Sequence, residues 1–351
     1  MHPFRKLILI SLGRADSFEK TPSRRDWFLM YNMARQQTLL GVLFDGIARL
    51  PEEQRPPQDL YEEWSALTDK IAAIHHLHEV RVREIGALFS RLGLHGCILK
   101  GTALARLYPA PERRMCGDID VWVKGTHAEI LKSLEDAGVS CHDILYQECK
   151  AELFEDVVVE VHFHPSKMYH PGHNAALQRC LEALSPIRDD RPLTEPDAPF
   201  NAVFCMAHMY RHYLEGGIGM RQMLDYYYVL RGLSAEERRI AMERLTKLGM
   251  KRFTAAVMLS VQYNFGLEDE YLLCPPDREL GKKLIEDMIA MGNFGRMDAR
   301  NRAKAGERRV GRFLRKNQRV FSNFRYYPGE IIWSPFARLS QFVWRLFKGY
   351  L

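Results

Sequence analysis

In the segment DIDVWV, Asp118 and Asp120 stand two residues apart. On a β-strand that spacing projects both carboxylates from one face and turns Ile119 and Val121 to the other. By itself a D-x-D fits two solvated acids on an exposed strand face as readily as two acids that meet a cation. Mg²⁺ is the usual such cation, because it takes carboxylate oxygens and keeps water in its remaining positions. The reading also implies that removing both acids relieves repulsion, so the fold should lose no stability without them. A second segment, DVVVEVHFHP, offers a third acid. Val158, Glu160, His162 and His164 share one face there, opposite Val157, Val159, Val161 and Phe163. An unpaired acid in an aliphatic run is expensive. Set beside the first strand, Glu160 completes three carboxylates, enough to hold two Mg²⁺ ions that align nucleophile and leaving oxygen in phosphoryl or nucleotidyl transfer. The competing reading pairs Glu160 with Arg113 or Arg114.

Upstream, the segment ILKGTALARLYP reads as a short strand running into Lys100-Gly101-Thr102 and then a helix. Gly101 lets the backbone approach a ligand closely, and a helix N-terminus offers free N–H groups to a phosphate. Lys100 adds a point charge. A strand–Lys-Gly–helix turn is common by itself; followed by D-x-D and then by Glu160 it becomes a combination with chemical meaning.

The elements that must position these residues follow from texture. The first ninety residues are helical in pattern, with Trp27, Met30, Met33, Leu40, Val42, Leu43 and Ile47 at roughly helical spacing, and a proline-rich break precedes a proline-free stretch from Leu60 to Leu92. Between Gly93 and Pro165 the apolar runs become short and β-branched and alternate with helix-compatible segments. From about Pro199 the pattern is helical again. An α+β fold is expected: an N-terminal helical region over 1–92, a small mixed-sheet core over 93–170, and a C-terminal helical region over 171–351.

The 351 residues are 46% hydrophobic and 27% charged, which excludes a disordered or collagen-like chain. A net charge of +6 is too small to imply nucleic acid, and no DNA-binding motif is present. The seven cysteines are scattered without a C-x-x-C pair, which suits a reducing compartment. The apolar run Leu7–Leu12 is too short for a signal peptide or a transmembrane segment. A cytoplasmic protein is expected.

The segments LKGTALARLYP, RRMCGDIDVWV and VVVEVHFHP together resemble the uncharacterised bacterial nucleotidyltransferase family of the DNA polymerase β-like superfamily. That pattern is a glycine turn opening a helix, a D-x-D strand and a third acid on a later strand. The resemblance implies Mg-dependent transfer of a nucleoside monophosphate from an NTP to an acceptor hydroxyl or phosphate, with release of pyrophosphate. It makes Asp118, Asp120 and Glu160 metal ligands and catalytic residues, and Lys100, Gly101, Thr102 and Arg114 nucleotide contacts. Arg114 matches the family's arginine four residues before the first aspartate, and His162 its histidine beside the third acid. HMYRHYLEGGIGMRQMLDYYYVL resembles the family's H-x-x-x-H followed by arginine and aspartate, here His208, His212, Arg221 and Asp225, as supporting residues around the site. The likeness runs from Asp26 to Arg296. It suggests an acceptor that is a sugar or glycan-linked. The 17-residue spacing from Gly101 to Asp118 is longer than in minimal superfamily members.

Other readings of the same residues stay open. His208 and His212 fit a helix face packed on the mixed core, and Arg221 and Asp225, four apart, fit a mutual ion pair. A catalytically inactive nucleotide-binding regulator or scaffold is the alternative function, and an RNA-modifying nucleotidyltransferase is another. Residues 294–319 hold ten Lys+Arg against two Asp+Glu, a local +8 that invites an anionic partner, whether lipid, glycan or RNA. Trp333, Phe336, Leu339, Phe342, Val343, Leu346 and Phe347 line one helical face. That stripe fits a final helix docked on the helical region, or an interfacial helix that holds the enzyme peripherally at anionic lipid.

Overall fold

The computed structural model describes residues 2–295 and 323–350. Most of the basic segment 294–319 therefore lies outside the described residues. Four helices open the chain: α1 (Pro3–Ser11), α2 (Arg24–Gln36), α3 (Leu40–Arg49) and α4 (Gln58–Leu92). Ser23 and Asp26 start α2 with a reciprocal capping box, and Gly93 ends α4 in the left-handed region at φ +66°. The 35-residue α4 belongs to two cores at once. Its first half buries Leu60, Trp64 and Ile71 among helices, and its second half lays Val82, Ile85 and Phe89 on the sheet.

Six strands follow: β1 (Gly96–Leu99), β2 (Ile119–Val123), β3 (Cys141–His142), β4 (Glu148–Ala151), β5 (Val159–His162) and β6 (Leu193–Thr194). They form one mixed sheet in the order β3-β4-β5-β2-β1-β6, with β1 antiparallel and β5 parallel to β2. The sixth strand comes from outside residues 93–170; two residues are too few to carry an alternation pattern. Helix α5 (Gly101–Ala105) springs directly from β1, and α6 (His127–Asp136) follows β2. Period 2 sorts the faces. Ile98, Ile119, Val121, Val123, Val159 and Val161 meet α4 and α6, whereas Cys97, Leu99 and Trp122 join the larger core. Asp120 lies between Val121 and Ile119 in sequence and shares the Trp122 face.

Seven C-terminal helices follow, α7 (Pro171–Ala183), α8 (Ala198–Glu215), α9 (Met220–Arg231), α10 (Ala235–Lys247), α11 (Lys251–Phe265), α12 (Arg278–Met291) and α13 (Pro328–Lys348), and α8 and α9 face the acid-bearing side of the sheet. Trp122 stacks on Phe200 of α8 at 5.9 Å between ring centres. Residues of α1–α3 and of α8–α12 bury into one continuous apolar cluster, so the two helical regions close on each other around the sheet. Burial of this extent is the main force holding the acid-bearing strands against α8 and α9.

Candidate active site

Asp120 and Glu160 are register partners on the parallel strands β2 and β5, and Leu99 sits opposite Asp120 on the antiparallel side. Their side chains project from the same face, with His162 two residues beyond Glu160. Ligand atoms of Asp120, Glu160 and His162 all lie within 4.8 Å of one another. His162 Nε2 donates to Asp120 Oδ1 at 2.9 Å and stands 3.9 Å from Glu160 Oε2. Its Nδ1 lies 3.4 Å from Glu148 Oε2 on β4. Asp118 precedes the first residue of β2 and lines the same cleft. The register therefore gathers Asp120, Glu160 and His162 most tightly, with Asp118 beside them.

Charge is unevenly compensated here. Burial would raise Asp120, but the Lys100 ammonium and the bond from His162 overcome it and hold its carboxyl well below the usual range. Glu160 is pushed up to about 7, first by burial and then by Asp120 and Asp118. Asp118 is raised by the charge of Asp120 and by burial. Among the described residues, Arg113 pairs with Asp45 and Arg114 with Asp225, so Glu160 is not held by either arginine.

The turn after β1 delivers the countercharge. Lys100 adopts φ +50° and ψ −140°, a region that favours glycine, and Gly101 follows at φ +41°. This twist brings Lys100 Nζ to 2.7 Å from Asp120 Oδ1. Thr102 is buried within α5, while Lys100 and Gly101 line the cleft. Arg114 spans the loop before β2: its Nε and Nη2 donate to Asp225 at 2.7 and 2.8 Å, and its Nη1 donates to the Gly101 carbonyl at 3.0 Å. Tyr108 Oη donates to the same carboxylate at 2.6 Å. Asp225 thus grips Arg114, and Arg221 instead donates to the Met115 carbonyl at 2.7 Å.

The cleft measures about 410 Å³, with the acids on one wall and Arg221, Arg211, His208 and His212 of α8 and α9 on the other. Burial, then Lys100, keeps His208 neutral well below its ordinary value, and burial with Arg211 lowers His212 to about 3. Both are uncharged at neutral pH. Arg211 bonds Gln147 Oε1 and lies 3.4 Å from His212 Nε2. Arg211 and Glu148 were not singled out from sequence. The arginine sits inside HMYRHYLE between the two histidines, a signal that could have been used; Glu148 opens the short alternating strand ECKA, whose polar face carries it opposite His162, but a four-residue alternation does not say which strand it will join. A second cavity of about 930 Å³ adjoins the first, and His212 lines both.

A family model described as an uncharacterised nucleotidyltransferase matches residues 23–266, more than half of the chain. The chain belongs to this family. No curated protein and no solved structure matches it. The matched span contains every residue that lines the cleft.

For a nucleotidyltransferase the cleft also passes a test of fit to a divalent cation. Asp120, Glu160 and His162 converge with Asp118 on the same cleft wall; burial and the neighbouring acids raise Glu160, the charge of Asp120 and burial raise Asp118, and Asp120 already carries a cation in the form of Lys100. Oxygen donors with a single imidazole nitrogen suit a hard ion such as Mg²⁺ or Mn²⁺ better than a thiolate-seeking metal.

Proposed function

We propose that this protein transfers a nucleoside monophosphate from an NTP to an acceptor hydroxyl or phosphate in the cleft between the sheet and α8–α9. The observation that carries the reading is the register of Asp120 and Glu160, which brings two carboxylates and His162 within 4.8 Å above a cleft walled by cationic side chains. Asp118, Asp120 and Glu160 would hold Mg²⁺, two ions during turnover. Bound there, the metal supplies polarisation of phosphate oxygens and alignment of attacking and leaving groups.

The chain's own residues do the rest. Arg221, Arg211 and Lys100 give the triphosphate its countercharges, and Gly101 lets the chain pass close to it. Arg114 acts on the site through Asp225 and the Gly101 carbonyl, fixing the glycine turn relative to α9. Glu160 serves either as a ligand of the second ion or as the base whose carboxylate oxygen accepts the proton of the acceptor hydroxyl. The acceptor enters from the larger cavity that meets the cleft at His212.

A second reading, nucleotide binding without transfer, is favoured by Lys100 occupying an oxygen of Asp120. One assay separates the two. The purified chain is incubated with each α-labelled NTP, Mg²⁺ and a cell extract. Transfer predicts labelled product and released pyrophosphate. Saturable nucleotide binding with neither would sink the enzymatic reading, and label in small molecules, RNA or protein identifies the acceptor class.

A further inference from the structure

Helix α13 is built inside out. Its polar side faces the protein. Glu330 is 4% exposed and accepts from the Tyr169 and His170 backbone N–H groups at 2.6 and 3.2 Å, with His173 Nδ1 at 3.1 Å from its other oxygen. Ser334 is buried, and Gln341 accepts from Lys167 Nζ at 3.3 Å. The opposite side is apolar and open. Ile332, Phe336, Leu339, Phe342, Leu346 and Phe347 are 50–85% exposed. Their spacings of four, three, three, four and one set them on one helical face. A surface helix ordinarily does the reverse, and a contiguous apolar face of this kind marks an interaction surface. The stripe is therefore not a face docked on the helical region.

We infer that this open face of α13 binds an anionic lipid surface. Charge decides between occupants. Residues 323–350 carry Arg325, Arg338, Arg345 and Lys348 against Glu330 alone, and that acid is buried beneath the helix. The sequence just ahead, 294–319, adds +8, so that from 294 to the last residue fourteen Lys+Arg face three Asp+Glu. A second copy seated on this face would bring the same positive charge against itself. An anionic bilayer meets both demands, with acyl chains for the aromatic and aliphatic side chains and headgroup phosphates for the flanking cations. Twenty-one helical residues lying flat suit that role, and no described helix is long and apolar enough to cross a membrane.

The test uses the full chain and phosphatidylcholine vesicles with or without phosphatidylglycerol. The protein should sediment with the anionic vesicles at low salt, less so at high salt, and weakly with the neutral ones. Leu339→Glu with Phe347→Glu, neither of which lines the cleft or the larger cavity, should lower the partition roughly tenfold or more while melting temperature and nucleotide turnover stay unchanged. On the unaltered chain, brominated acyl chains should quench tryptophan emission, and Trp333→Phe should remove most of that quenching. A protein that stays in the supernatant with anionic vesicles overturns the proposal, as does a double variant that sediments as well as the original. A dimer that the double variant converts to monomer, with no vesicle binding by either, assigns the face to a second copy and also overturns it.

Discussion

Arg114 and Asp225 meet side on, Nε to Oδ1 at 2.7 Å and Nη2 to Oδ2 at 2.8 Å, each side chain about 5% exposed. The pair joins the loop before the acid-bearing strand to α9 across 111 residues of sequence. Tyr108 and the Gly101 carbonyl complete the network, so the glycine turn and the acid strand share one fixed point. Because both groups are desolvated, removing one strands the other. Asp225→Ala is expected to destabilise the protein by about 3–5 kcal/mol in chemical denaturation. Arg114→Lys should lose much of the same stability, because an ammonium cannot make the two parallel bonds of a guanidinium. A loss below about 1 kcal/mol for Asp225→Ala would show that the pair is not the tie described.

The two aspartates of D-x-D should respond in opposite directions. The expectation that removing them together leaves stability intact treats them as equivalent, and the structure separates them. Asp118 is raised mainly by the negative charge of Asp120, so Asp118→Asn relieves repulsion and should leave the metal-free melting temperature unchanged or higher. Asp120 holds Lys100 and His162 in a site 1% exposed, so Asp120→Asn leaves the ammonium without its anion and should lower stability by about 3 kcal/mol. Both changes should abolish Mg²⁺-dependent turnover. Equal melting shifts for the two single variants would refute the division of roles.

Glu160 predicts a pH signature. Its folded carboxyl titrates near 7 and its unfolded one near 4.5, so the unfolded chain releases this proton first. The contribution of Glu160 to stability therefore falls as pH rises from about 4.5 to 7 and is constant above. The total is on the order of 3 kcal/mol. Glu160→Gln should erase that slope, seen as a stability difference from the original chain that grows over this window. Divalent-ion affinity, measured with Mn²⁺ by titration calorimetry, should rise over the same window and flatten above it. A flat profile in the original chain removes Glu160 from the ion site.

How much of this could be read beforehand depends on the range of the forces involved. The open-side placement of Asp120 on β2 and of Glu160 on β5 is a local consequence of period 2, whereas Asp118 falls one residue before β2. The helix ends near Ser23 and Gly93 are local too. Arg114 with Asp225 is not, since 111 residues separate them while Glu112, Asp118 and Asp120 all stand far nearer in sequence. The orientation of α13 escaped for a different reason. An amphipathic stripe says that one face is apolar but not which way it points, and Glu330 reaching the Tyr169 and His170 backbone decides that only in three dimensions. The left-handed backbone at Lys100 is likewise invisible, because a non-glycine residue gives no warning of positive φ.

Lys100 leads to the last prediction. Its ammonium occupies Asp120 Oδ1 at 2.7 Å, the atom a divalent ion would also claim. The two cations compete, so weakening one should strengthen the other. Lys100→Gln keeps a hydrogen-bond donor of similar length and removes the charge. Mn²⁺ affinity in the absence of nucleotide should then rise, by roughly tenfold for each 1.4 kcal/mol of competition removed. Nucleotide KM should rise as well, since a countercharge for the triphosphate is lost. Lys100→Gly separates charge from backbone. Glycine accepts φ +50° freely, so this variant should be more stable than Lys100→Gln by about 1 kcal/mol while binding Mn²⁺ about as tightly. Unchanged Mn²⁺ affinity in both variants would mean that Lys100 does not compete for the metal position, and the turn would then owe its twisted backbone to something other than delivering that charge.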